Sequence, residues 1–164
     1  MMKPLLANVV LALLMTMPGC GKTELPPEGP GASFVKVGAP APEIIAVDLD
    51  GKTFNLSDYR GKVVDLSFWA DWCGWCVKMF PDEKKMVEKY KDRPFVLLGV
   101  NGDPTQSAGA ESALRHKLTW RSFWNGGETG PITSRYRVQG WPTSFLIDAN
   151  GIVRERVDGY QPHL

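Results

Sequence analysis

Ligand-type side chains are scarce in this chain, which has three cysteines and two histidines in 164 residues. A closed zinc site needs four ligands, and Cys20, His116 and His163 form no ligand-spaced pair to add to Cys73 and Cys76. A copper site wants a third soft or imidazole ligand, which is missing too. No metal and no cofactor are expected. Charge of one sign is also not in excess, with 19 basic against 18 acidic side chains, so nothing electrostatic points to nucleic acid. No apolar run comfortably reaches the roughly 20 residues of a spanning helix. There is no internal repeat, and the length suits one domain.

What the chain does have is Phe68-Trp69-Ala70-Asp71-Trp72-Cys73-Gly74-Trp75-Cys76. An apolar, strand-like run, Val63 to Trp69, feeds directly into two cysteines at C-x-x-C spacing, and a helical pattern follows. A cysteine at a helix N-terminus faces unpaired N–H groups and the positive end of the helix dipole, both of which favour thiolate. Cys73 is placed to be that residue. Cys76 lies one turn further on, near enough to close a small disulfide ring, so the pair can exchange two electrons. Two packed structural cysteines, or half of a zinc site, are the bland alternatives.

The N-terminus reads as targeting. Lys3 precedes the apolar run Leu5 to Met17, which meets Pro18-Gly19-Cys20. The run is short for a membrane span and suits a signal-peptide core over residues 1–19. Gly/Pro-rich sequence follows at once, which argues against a buried helix. Cys20 after Gly19 resembles a bacterial lipoprotein cleavage site, which implies lipidation of Cys20. Met17 and Pro18 depart from the aliphatic and small residues preferred there, and plain secretion with a leftover cysteine is the alternative. Residues 20–36 include Glu24-Leu25-Pro26-Pro27-Glu28-Gly29-Pro30-Gly31, offer little to bury, and read as a tether. Residues 37–164 make the domain.

Phe68-Trp69-Ala70-x-Trp72-Cys73-x-x-Cys76, with Pro81 five residues later and Gly140-Trp141-Pro142-Thr143 before an apolar strand, resembles the thioredoxin superfamily. Gly38-x-Pro40-x-Pro42 and Leu56-Ser57-Asp58-Tyr59-Arg60-Gly61-Lys62 narrow the resemblance to the extracytoplasmic TlpA/ResA redoxin group, within the AhpC/TSA redoxins. The likeness covers about residues 37–160. It implies an α/β thioredoxin-like sandwich, a central mixed sheet with helices on both faces and an N-terminal hairpin extension. It also implies a cis peptide bond at Pro142, beside the cysteines.

Residue patterns place the elements. Ile44 to Val47 and Lys52 to Asn55 flank Asp50-Gly51 as a hairpin. Ser57 is a fair N-cap for a turn at Asp58-Tyr59-Arg60. From Cys73 to about Lys91 the pattern is helical, with Cys76, Met79, Phe80, Met86, Val87 and Tyr90 on the apolar side. Pro81 should kink that helix. Phe95 to Val100 completes a β–α–β unit, which must be right-handed and parallel. A helix over Glu111 to Leu118 and a short one around Ile132 to Tyr136 follow. The strands Thr143 to Ile147 and Ile152 to Val157 form the closing hairpin.

The resemblance implies a thiol–disulfide oxidoreductase, with Cys73 as nucleophile, Cys76 as resolving thiol, and Trp72, Trp75, Trp141 and Pro142 around the substrate. Its partners would be a protein thiol or disulfide substrate and an upstream membrane electron donor or acceptor. The chain would act outside the cytoplasm from a lipid anchor, as a reductase by family analogy. No oligomeric state is implied.

Two features depart from the pattern. Trp75 stands where a proline usually precedes the second cysteine. Ser67 stands where many such domains carry a buried acid, with Asp65 two residues earlier. Asp65 is expected to face a polar edge or a lysine, the alternative being a raised pKa and a proton-relay role. The family's closing C-terminal helix is expected to be missing after Tyr160-Gln161-Pro162-His163-Leu164, which implies a truncated form or a partner over that face. His163 is given no catalytic role. A peroxidase reading wants a Pro-x-x-x-Thr-x-x-Cys setting, and neither Pro nor Thr stands at the required positions before Cys73. A non-catalytic redoxin-fold binding module is the other alternative.

Overall fold

The computed structural model describes residues 35–162. The expected signal segment, Cys20, nearly all of the tether and His163 lie outside the described residues.

Two short strands, Ile45–Val47 (β1) and Thr53–Asn55 (β2), pair antiparallel as a separate hairpin. Their turn is made by Asp48, whose carboxylate accepts the N–H groups of Asp50 at 3.0 Å and Lys52 at 2.8 Å. The strands Val63–Trp69 (β3) and Phe95–Asn101 (β4) run parallel, joined across the helix Gly74–Lys89 (α1). The helix Gln106–Arg115 (α2) leads to Ser122–Trp124 (β5), which adds parallel to β4. After the helix Pro131–Tyr136 (α3), Thr143–Ile147 (β6) lies antiparallel to β3 and Val153–Asp158 (β7) antiparallel to β6. The β6–β7 turn repeats the first device. Asp148 accepts the N–H groups of Asn150 and Ile152, both at 2.9 Å, and Gly51 and Gly151 each take φ +80°.

The main sheet therefore has the order β5-β4-β3-β6-β7, with β3 in the middle. Successive side chains of a strand point to opposite faces, and β3 uses both. Val64, Leu66 and Phe68 join Phe54, Phe123, Tyr136 and Phe145 in one core. Trp69 joins Cys76, Phe80, Leu97 and Trp120 in the other, beneath α1. Phe54 stacks on Phe123 with centroids 3.7 Å apart, which ties the hairpin to the sheet.

The thioredoxin-like architecture is as expected, with some boundaries shifted. The helix expected from Glu111 starts at Gln106, because Thr105 caps it: its Oγ1 accepts the N–H of Ala108 at 3.1 Å. β5 had no counterpart in the pattern reading. The turn after β2 is a 3₁₀ turn, Leu56–Tyr59, started by Asn55 instead of Ser57. The Asp58 carboxylate holds the Asn55 N–H at 2.9 Å. α1 continues through Pro81. Its deeply buried residues are Cys76, Phe80 and Glu83, while Met79, Met86, Val87 and Tyr90 are only partly buried. Among the described residues no helix follows β7.

Candidate active site

The central strand ends at Trp69, and the turn Ala70–Cys73 carries the chain onto the tip of α1. The Cys73 N–H donates to the Ala70 carbonyl at 3.2 Å. Cys73 is the N-cap, with φ −88° and ψ 97°, and its Sγ accepts the N–H of Cys76 at 3.1 Å. Sulfur thus replaces the usual oxygen on one of the orphan donors of a first helical turn. Cys73 and Cys76 form a disulfide with Cα atoms 5.3 Å apart. Cys73 is 6% exposed and Cys76 0%, so Cys73 is the more accessible residue of the pair.

The second landmark lies at the same end of the sheet. Phe68 pairs with Thr143, which places Trp141-Pro142 next to the exit of β3. The Trp141–Pro142 bond is cis. Trp141 meets Trp72 edge-on with centroids 5.5 Å apart, and Trp72 Nε1 donates to the Gly102 carbonyl at 3.4 Å. Trp75 is 60% exposed and carries the Lys78 ammonium 4.3 Å from its ring centroid. Among the described residues no ring contact joins Trp75 to Trp141. The aromatic wall beside the disulfide is therefore Trp72 with Trp141, while Trp75 stands apart.

Behind the cysteines the structure brings together groups that the sequence had separated. Asp65, Ser67 and Trp69 share the β3 face that meets α1, and Glu83 approaches from the helix. Burial pushes the Glu83 carboxyl up to about 8, the neighbouring Ser67 hydroxyl offsetting part of the rise and Asp65 adding to it. Burial also pushes Asp65 up to about 7, with Glu155 adding repulsion. Among the described residues no salt bridge joins Asp65 to a lysine, and the half-buried side chain lines a cleft that Lys85 and Lys89 also line. Glu83 Oε2 and Ser67 Oγ are close enough to interact but make no well-formed hydrogen bond. Both acids line a cleft of about 510 Å³ between α1 and β6–β7, walled by Met79, Leu146 and Tyr160. Sequence reasoning passed over Glu83, although it falls seven residues after Cys76, two turns along the same helical face.

The approach loop to Cys73 is pinned by side chains from two other elements. Asp71 donates its N–H to Asp103 Oδ1 at 3.0 Å, and Asn101 Nδ2 holds the other Asp103 oxygen at 2.8 Å. The Asp71 carboxylate accepts from Ser112 at 2.9 Å, Arg115 at 2.7 Å and His116 Nε2 at 2.9 Å. The His116 hydrogen bond, with those of Arg115 and Ser112, holds that carboxyl below its usual range against the opposing effect of burial. Among the described residues no group of three or more His, Cys, Asp or Glu is arranged to hold a metal ion.

Comparison with known proteins agrees with this geometry. The family model described as "AhpC/TSA family" matches residues 37–156. Thiol-disulfide oxidoreductase ResA of Bacillus thuringiensis subsp. konkukian is 34% identical over 127 residues, 77% of this chain and 72% of the relative. A solved structure assigned as thiol:disulfide interchange protein DsbE, from Chlorobium tepidum, superposes with a TM-score of 0.72 at 35% identity. It covers 79% of this chain and 89% of its own. The exposed lipoprotein thioredoxin Etrx1 of Streptococcus pneumoniae gives a TM-score of 0.58 at 27% identity, over 73% of this chain and 91% of its own.

Proposed function

Since this chain belongs to the AhpC/TSA family and is a thioredoxin-like thiol–disulfide oxidoreductase, we propose that it reduces protein disulfides outside the cytoplasm through Cys73 and Cys76. The observation that carries the reading is the N-cap geometry. The same helix N-terminus that places the Cys76 N–H 3.1 Å from Cys73 Sγ would stabilise a thiolate on that sulfur in the reduced form.

The steps follow from the positions of the two sulfurs. The Cys73 thiolate attacks one sulfur of the partner disulfide, that S–S bond breaks, and the other partner sulfur leaves as a thiolate and takes up a proton. The Cys76 thiolate then attacks Cys73 Sγ in the mixed disulfide and releases the second partner thiol. The partner gains two electrons and two protons, and the Cys73–Cys76 disulfide forms. A dithiol donor on the membrane side resets the pair. Trp72, Trp75 and Trp141 are taken to border the partner chain, and Pro142 to present the loop backbone along which an extended segment pairs. Action from a lipid anchor at Cys20, after removal of residues 1–19, is supported by the Gly19-Cys20 junction and by a structural relative whose name describes an exposed lipoprotein. The reductive direction is supported by the TlpA/ResA resemblance.

Cys76→Ser in the native host should trap a mixed disulfide on Cys73, and mass spectrometry of the captured protein reads partner and direction together. Cys73→Ser should abolish exchange. Full turnover by both single variants would overturn the dithiol mechanism. Membrane fractionation with an acylated Cys20 checks the anchor, and a soluble mature protein with free Cys20 would overturn it.

A further inference from the structure

His116 is the C-cap of α2 and touches both approaches to the disulfide. Its Nε2 meets Asp71 Oδ1 at 2.9 Å, two residues before Cys73. Its ring lies 5.1 Å from that of Phe80, four residues after Cys76 on the buried face of α1. Its carbonyl accepts from Lys84 on α1. Asp71 is in turn saturated by α2 alone, through Ser112, Arg115 and His116. One helix end therefore grips the loop on the Cys73 side and the helix on the Cys76 side.

The charges at this junction have definite signs. A carboxylate this close to the first turn of α1 competes with a Cys73 thiolate for the same positive helix end. Arg115, with the hydrogen bonds of Ser112 and His116, draws the Asp71 charge towards the C-terminus of α2, where the Arg115 cation is itself favoured. The other charged groups at the junction are Asp103, which accepts the Asp71 N–H, and Lys84 across His116. The residual negative charge felt by Cys73 thus depends on how well α2 compensates Asp71.

We propose that Asp71 and His116 form a clasp between α2 and the approach loop that positions Cys73 and sets its thiol acidity and the dithiol equilibrium. The two are positioning residues, acting through Cys73 without touching the substrate. The assignment rests on the dithiol reading of Cys73 and Cys76 and is independent of the direction of electron flow.

The test compares Asp71→Asn, His116→Phe, the double variant and His116→Gln in the full chain. The readouts are the pH profile of Cys73 alkylation by iodoacetamide, the equilibrium with glutathione, and melting of oxidised and reduced forms. Asp71→Asn removes the competing charge and leaves Arg115 in place. Alkylation below the thiol pKa should rise about threefold, and the glutathione equilibrium should shift towards the reduced form by a similar factor. His116→Phe keeps a ring against Phe80 but loses the donor, so both readouts should move the opposite way. The double variant should match Asp71→Asn, because no carboxylate remains to be compensated. His116→Gln, which can still donate, should stay near wild type. Equal loss of melting temperature in both redox forms, with unmoved alkylation and glutathione equilibria, would overturn the clasp alone. A wild-type chain with no glutathione equilibrium would overturn the dithiol reading and the clasp with it.

Discussion

Glu83→Gln is the substitution with the largest expected effect for the smallest change of shape. Glu83 is 5% exposed, its Oε2 makes no well-formed hydrogen bond, and Asp65 lies in the same cleft. Burial raises its carboxyl from 4.5 to about 8. The folded chain therefore holds this proton more tightly than the unfolded chain. Relative stability is full below about 4.5 and is lost as the pH rises through 8. A displacement of that size is worth on the order of 5 kcal/mol between pH values beyond either end. Part of it is repulsion from Asp65, which itself titrates at about 7, so Glu83 alone should account for about 2–4 kcal/mol. Glutamine is neutral throughout. Urea unfolding of the oxidised chain at pH 5, 7 and 9 should show wild type losing that amount together with the contribution of Asp65 across the series. Glu83→Gln should lose correspondingly less, keep the slope that Asp65 contributes, and be the more stable of the two at pH 9. Asp65→Asn added to it should remove the remaining slope. Parallel profiles for wild type and Glu83→Gln would mean that the carboxyl is already ionised and solvated at neutral pH, and would refute the account.

Three further substitutions follow from contacts at and around the site. Gly102→Ala would place a Cβ 2.4 Å from Trp141 Cη2, which displaces that ring from Trp72. It should weaken partner capture by the Cys76→Ser trap several-fold with little change in Cys73 alkylation, as measured by pull-down yield. Phe123→Ala removes a fully buried ring stacked on Phe54. It should lower unfolding free energy by about 3–5 kcal/mol in a urea titration, loosening the β1–β2 hairpin first. Thr105→Ala deletes the N-cap acceptor of α2 and should cost about 1 kcal/mol by the same assay.

Local chemistry made the outline of the site legible. Cys73-Gly74-Trp75-Cys76 between an apolar run and a helical pattern placed the disulfide, and Gly140-Trp141-Pro142-Thr143 placed the second loop through its resemblance. Asp50-Gly51 marked the first hairpin turn. Each of these signals acts within a few residues, through dihedral preference, capping or the period of burial, so each can be read without knowing the fold. β5 carried no such signal. Ser122–Trp124 is three residues long, and its edge pairing with β4 supplies the backbone partners that make it a strand.

The tertiary structure decided which side chains face one another. Glu83 looks like any polar residue of an amphipathic helix, and its burial arises only because Ser67 and Asp65 of the central strand lie on the face that meets α1. Asp65 was expected to find a polar edge or a lysine. The register of β3 between β4 and β6 sets it, half-buried, on a cleft that holds a second acid as well as Lys85 and Lys89. Trp141 pairs with Trp72 and not Trp75, because the cis loop before β6 reaches across to Gly102. Asp71 and His116 are 45 positions apart in the chain and meet through the packing of α2 against the approach loop. Sequence by itself determined where the dithiol sits. The acids behind it and the groups that orient it depend on contacts that exist only once the sheet and helices have packed.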